Sequence, residues 1–132
     1  MNVDAAVFEN DGACSTVMRD HCGRFAGGFT KKFVSLSDPV LLEVLAIREA
    51  LSWLKDRRRS HFVIESDCLL VVQWVNTSRL GQSGFDEIIK DCHVLLSTLP
   101  LVGVVFNKRT ANAAAHHLAR AARYSSGLYV WA

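Results

Sequence analysis

Three acidic residues, Asp4, Glu43 and Asp67, stand where an acid needs a reason to be, and together they could hold a hard divalent cation. Asp4 interrupts the apolar run Asn2 to Phe8. In strand geometry Asp4, Ala6 and Phe8 point one way and Val3, Ala5 and Val7 the other, so the strand reads as covered on both faces. A bare carboxylate there costs several kcal/mol in desolvation unless donors or a cation meet it. Glu43 falls in line with Ile47, Ala50 and Leu54 at helical spacing, on the apolar stripe rather than the solvated face. Asp67 follows the apolar segment Phe62-Val63-Ile64 at a strand's carboxyl end, where ligands of open α/β sheets gather. Taken singly, each acid also has an ordinary explanation. Asp4 could reach water at the chain start, Glu43 could be a rim residue favoured by the helix dipole, and Asp67 could be a helix N-cap. Further on, Arg109, Asn112, His116 and His117 lie in an alanine-rich helical segment. Arg109 and Asn112 could present donors to a backbone phosphate at its N-terminus, with capping the alternative for Asn112. A neighbouring pair of histidines is not by itself a ligand set.

Composition bounds the class and leaves function open. The 132 residues suit one domain, expected to span 1–132, with half of them apolar and 21% charged. No apolar run approaches the length of a membrane span, and no basic segment precedes a cleavable apolar one, so an intracellular soluble protein is expected, nuclear or cytoplasmic and not secreted. Cys14, Cys22, Cys68 and Cys92 show no zinc-ligand spacing and read as reduced thiols packed like small apolar residues. The net charge of +2 is too small to imply nucleic-acid binding, so any electrostatic footprint must come from local clusters. One such cluster, Arg57-Arg58-Arg59, reads first as a solvated helix end, with phosphate contact as the alternative.

The elements that must position the acids follow from turn chemistry and periodicity. Strands are expected over Asn2 to Phe8, Cys14 to Arg19 and Arg24 to Phe33, an antiparallel meander joined by Glu9-Asn10-Asp11-Gly12 and Asp20-His21-Cys22-Gly23. The third strand, weakened by Gly27 and Gly28, is expected at a sheet edge. A helix runs from Pro39 to about Arg57, a strand over His61 to Ser66, helices from Asp67 through Val75 and from Phe85 to Leu96, a last strand over Leu101 to Phe106, and a last helix from Arg109 to about Ala122. Trp53 and Trp74 belong to apolar helical stripes and read as core. A meander followed by strand–helix alternation implies one mixed sheet flanked by helices. If the first helix is the crossover, the first and fourth strands become parallel neighbours, Asp4 and Asp67 stand on adjacent strands, and Glu43 hangs over both. Three carboxylates so placed repel one another and partly protonate unless a cation binds between them.

With those positions in view, the chain resembles a type 1 ribonuclease H-like domain. The resemblance is carried by Asn2-Val3-Asp4, by Glu43 within Leu42 to Ala46, by Glu65-Ser66-Asp67, and by the stretch Lys108 to Ala119. More narrowly, Met18 to Phe25 and the arrangement of Arg109, Asn112, Ala115, His116, Leu118 and Ala119 resemble the plant branch related to non-LTR retroelements. The resemblance covers nearly the whole chain, and it implies an α/β fold with a five-stranded mixed sheet, three strands antiparallel and two parallel. It further implies cleavage of the RNA strand of an RNA/DNA hybrid; double-stranded RNA is a second possible partner, no membrane partner is expected, and the oligomeric state is open, with a monomer assumed. In such enzymes two Mg²⁺ ions, for which Mn²⁺ can substitute, lie about 3.5 to 4 Å apart at the scissile phosphate. One activates the attacking water and the other stabilises the leaving 3′-oxygen. Carried over by position, Asp4 would bridge both ions, Glu43 and Asp67 would hold the leaving-group side, and His116 would take the water side, where many relatives have an aspartate. Histidine is a poor Mg²⁺ ligand and a better Mn²⁺ one. Arg109 and Thr110 stand where a mobile histidine is frequent, and Ala5 where glycine is usual. A catalytically weak or inactive nucleic-acid-binding module therefore stands beside the nuclease as the alternative, and a scaffold retaining only the fold as a third reading.

Overall fold

Strands β1 (Asn2–Val7), β2 (Gly12–Arg19) and β3 (Phe25–Phe33) form the expected antiparallel meander. They are seen in a computed structural model, which describes residues 1–59, 61–77, 85–108 and 119–120 and the backbone of 128–131. The second turn is held by the Asp20 carboxylate, whose Oδ1 accepts the amides of Cys22 and Arg24, both at 2.9 Å. Gly23 supplies the left-handed residue of that turn, with φ 78°. β2 begins at Gly12, two residues earlier than expected, opposite Val7 on one side and Phe33 on the other. A side chain at Gly12 would collide with Leu42 Cδ1 and lie 2.7 Å from the Leu36 carbonyl oxygen. Glycine there lets the start of the following helix close onto the sheet, which brings Glu43 with it.

That helix, α1 (Pro39–Asp56), starts where the sequence says it should. The Asp38 carboxylate accepts the amides of Val40 at 3.0 Å and Leu41 at 3.2 Å, and Pro39 needs no donor in the first turn. Its stripe, including Ile47, Ala50, Leu51 and Leu54, is fully buried and meets Val3, Met18 and Ile64 from the sheet. The chain then enters β4 (Phe62–Ser66), parallel to β1 with Asn2 opposite Glu65. It continues through α2 (Leu69–Asn76) and α3 (Asp86–Ser97) into β5 (Val102–Phe106), parallel to β4. Among the described residues no helix is long and apolar enough to cross a membrane.

The five expected strands keep their expected order and directions, and a sixth extends the sheet. β6 (Leu128–Trp131) pairs antiparallel with Gly28 to Lys31, giving the order β5-β4-β1-β2-β3-β6. The expectation that β3 is an edge strand is therefore corrected. Its backbone donors and acceptors find partners in Leu128-Tyr129-Val130-Trp131, a run of good strand formers close to the chain end. The cysteines divide. Cys14 and Cys92 are buried as expected, whereas Cys22 is exposed on its turn and Cys68 half-buried before α2, so only two of the four serve as core. The last helix expected from Arg109 lies outside the described residues, apart from Ala119 and Arg120, which are helical.

The far end of α1 carries a strained closure. The amide of Arg59 donates to Leu54 O at 2.9 Å and that of Arg58 to Lys55 O at 3.1 Å, the paired bonds of a Schellman motif. The residue that must turn left-handed is Arg58, with φ 54°, where glycine is the usual choice. Arg58→Gly is expected to stabilise the fold by about 0.5–1 kcal/mol. A higher urea midpoint at unchanged slope would register this, and an unchanged midpoint would mean that the arginine side chain compensates its own strain.

Candidate metal centre

Strand pairing brings the acids together before any side-chain detail matters. Asn2 and Glu65 are opposite each other on parallel strands, so Asp4 and Asp67 each stand two residues further along the same pair. α1 lays its first turns across that end of the sheet, and Glu43 comes down between them. One carboxylate oxygen from each of Asp4, Glu43 and Asp67 can be chosen so that all three lie within 4.8 Å of one another. Asp4 is 1% exposed, and the other two are partly buried. The three sequence-predicted acids thus converge, as the strand order required. Arg109, Asn112, His116 and His117 lie outside the described residues.

The ordinary explanations for these acids no longer serve. The N-cap of α2 is Cys68, not Asp67, and no side chain caps that helix end. The local support comes instead from Ser66, whose hydroxyl accepts the Cys68 amide at 3.2 Å. Asp4 does not reach water despite its place near the start of the sequence, and Glu43 is no rim residue. Burial raises the Glu43 carboxyl from 4.5 to about 9, helped by the negative charge of Asp4, a hydrogen bond shared with it, and the charge of Asp67. An amide bond from Ala5 opposes the rise without cancelling it. At neutral pH Glu43 therefore holds a proton in the metal-free chain.

Glu43 Oε2 is buried with no hydrogen-bond donor in reach among the described residues. A buried carboxylate oxygen that lacks a donor, beside two further carboxylates, is a donor set for a hard cation. Oxygen-only ligands from few carboxylates, leaving positions for water and a substrate phosphate, suit Mg²⁺ or Mn²⁺ better than zinc.

One supporting group was not anticipated from sequence. Glu65 Oε2 accepts the side-chain amides of Asn2 at 2.8 Å and of Asn107 at 3.0 Å, tying β1, β4 and the end of β5 together one step below the acids. The signal was present, since Glu65 and Asp67 alternate on one strand, but the partners emerge only once the strand order is known.

Comparison with known proteins agrees with this arrangement. A family model described as reverse transcriptase-like matches residues 2–122. No curated protein matches the sequence. Among solved structures, the RNase H1 of the halophilic archaeon Halobacterium salinarum NRC-1 superposes with a TM-score of 0.81 at 18% identity, covering 92% of this chain and 94% of that one. The N-terminal RNase H domain of rv2228c from Mycobacterium tuberculosis gives 0.77 at 15% identity over 91% and 88% of the two chains. LC11-RNase H1, isolated from compost and solved in complex with an RNA/DNA hybrid, gives 0.78 at 16% identity over 91% and 92%. At such identities the likeness establishes the fold.

Proposed function

The chain belongs to the reverse transcriptase-like family, has the ribonuclease H fold, and from that premise we propose that it is a metal-dependent endonuclease cutting the RNA strand of RNA/DNA hybrids. The observation that carries the reading is the meeting of Asp4, Glu43 and Asp67 oxygens within 4.8 Å on three separate elements. A packing role would not gather three acids and leave one buried oxygen without a donor.

In this reading Asp4, the most buried of the three, together with Glu43, Asp67 and His116 would hold divalent cations such as Mg²⁺. The ions would supply an activated water and charge stabilisation at the scissile phosphate. Glu43 must give up the proton it holds in the metal-free state, so cation binding and deprotonation are one event. Asp4 is held within β1, and Asp67 directly follows the last residue of β4. Arg109 and Asn112, outside the described residues, would present donors to the substrate backbone. The narrower affinity to the plant non-LTR branch rests on the Met18 to Phe25 and Arg109 to Ala119 motifs.

A second reading is favoured by one residue. His116 stands where a carboxylate is frequent, and with a weak Mg²⁺ ligand there the domain would bind nucleic acid and cut it slowly or not at all. End-labelled RNA/DNA hybrid incubated with the protein in Mg²⁺ or in Mn²⁺ separates the two. RNA fragments with 5′-phosphates, formed faster in Mn²⁺, are expected from the nuclease, and His116→Asp should then gain Mg²⁺-dependent cleavage. A gel shift without fragments in either metal supports the binding module, and neither a shift nor cleavage at low salt rejects both.

A further inference from the structure

We propose that the end of the sheet opposite the carboxylates is a phosphate-binding cavity, formed by Arg19, Arg57 and Arg59 around the ring of Trp53. The inference does not rest on the cleavage reading. A cavity of about 770 Å³ opens where β2 ends, β4 begins and α1 stops, and His21 and His61 also line it. Asn2 and Glu65, two residues from Asp4 and Asp67, line its near side, and its arginines lie further off. Glu43 and Arg57 are fourteen positions apart on α1 and its cap, roughly 21 Å along the axis.

The positive charge there is not neutralised from within. Among the described residues no carboxylate lies within ion-pairing distance of Arg19, Arg57 or Arg59. The two acids of the lining are committed elsewhere. Asp20 closes its own turn by accepting the amides of Cys22 and Arg24. Glu65 Oε2 holds the side chains of Asn2 and Asn107. Arg19 Nη1 spends one donor on Gly23 O at 3.3 Å, yet three arginines line one space with its acids occupied, a site whose missing partner is an anion.

Two further observations favour a built site over a merely solvated helix end. Trp53 is clasped between Phe29, at 6.1 Å between ring centroids, and the Arg57 guanidinium, 4.4 Å over the ring, which holds that arginine in place. The indole Nε1 is buried with no acceptor among the described residues, so a donor waits beside the cations. The strained Arg58 also keeps the chain left-handed between Arg57 and Arg59, sending the two flanking residues off a fixed turn. Several fixed donors around a pocket of this size suit a phosphate mono- or diester, carried on a free nucleotide or on a nucleic-acid strand.

The test uses the full chain in EDTA at low salt, so that the carboxylate end takes no part. Adenosine 5′-monophosphate and, separately, a single-stranded DNA oligonucleotide are titrated calorimetrically against wild type, Arg57→Glu/Arg59→Glu, the milder Arg57→Gln/Arg59→Gln, and Lys90→Glu on α3 as a charge control. Binding weakened by at least about tenfold in both arginine pairs and unchanged in the control is the expected result. Loss for the nucleotide identifies a free-phosphate site, and loss for the oligonucleotide alone a strand site. No binding of either probe to wild type, equal binding by the arginine pairs, or an equal loss in Lys90→Glu overturns the proposal. Hybrid cleavage by the folded Gln pair, measured alongside, keeps this outcome separate from that of the metal centre.

Discussion

Asp4→Asn is expected to reduce metal-dependent cleavage of RNA/DNA hybrid by at least about a hundredfold while making the metal-free protein more stable. The activity loss follows from position. Asp4 is almost wholly buried, shares a hydrogen bond with Glu43, and has a carboxylate oxygen within 4.8 Å of one from Asp67, just past the end of β4. Replacing one of three converging anions with a neutral amide removes ligand charge at the centre, where even supporting residues are worth about 10- to 100-fold. The gain in stability follows from the same crowding. With Asp4 neutral, Glu43 loses its largest electrostatic opponent, and an amide can donate to a carboxylate that has an oxygen to spare. Thermal unfolding in EDTA should show the variant melting above wild type, and a cleavage time course should show it nearly inactive. A variant that is inactive and also less stable would point to a structural role for Asp4. One that cuts at the wild-type rate would remove the carboxylate cluster from the mechanism altogether.

The acidic cluster was legible in the sequence because each of its acids breaks a pattern that the surrounding residues establish. Asp4 interrupts an apolar strand, Glu43 an apolar helical stripe, and Asp67 follows a short buried run. Crossover topology then forces the three into one place, and the order of elements alone was enough to say so. The turn at Asp20 to Gly23 and the Asp38-Pro39 helix start were equally legible, since their donors and acceptors are local. What was hidden depends on long-range pairing. Leu128 to Trp131 carries strand-forming side chains, yet nothing local says which strand it will join, and the glycines of β3 argued for an edge where a partner in fact docks. The clamp of Glu65 on Asn2 and Asn107 spans three strands and has no sequence periodicity to betray it. Arg57 to Arg59 read as an ordinary basic helix end until the fold brought Arg19 and Trp53 to the same cavity.

The two ends of the sheet use charge in opposite senses, and this is a consequence of how α1 crosses it. The first turns of α1 hold Glu43 against Asp4 and Asp67, gathering three carboxyl groups at one end of the sheet. Its last turn and cap hold Arg57 and Arg59 beside Arg19. Neither concentration helps the fold, since like charges destabilise a compact state. Their retention within one small domain is a stability cost at both poles, and the acidic pole offers the larger measurable effect.

In EDTA, stability should fall as pH rises from about 6 to about 8, and a divalent cation should reverse the trend. The sign follows from Glu43. Its carboxyl is raised from 4.5 to about 9 in the folded chain, so between those values the native state holds a proton that the unfolded state has released. Folding takes up a proton across this window, and each unit of pH removes up to about 1.4 kcal/mol of stability from this group. Mg²⁺ or Mn²⁺ must displace that proton, so the stabilisation it confers should grow with pH over the same range, with proton release accompanying binding. Other groups add to the overall profile, and the Glu43→Gln variant removes their contribution by difference. Its melting temperature in EDTA should be higher than wild type at the upper end of the range, should vary less with pH, and should respond little to either cation. Parallel pH profiles for wild type and Glu43→Gln would mean that Glu43 is ionised without a metal, in which case the buried cluster is neutralised by some other group. A cation increment of equal size at both ends of the range would show that no proton is exchanged for the ion.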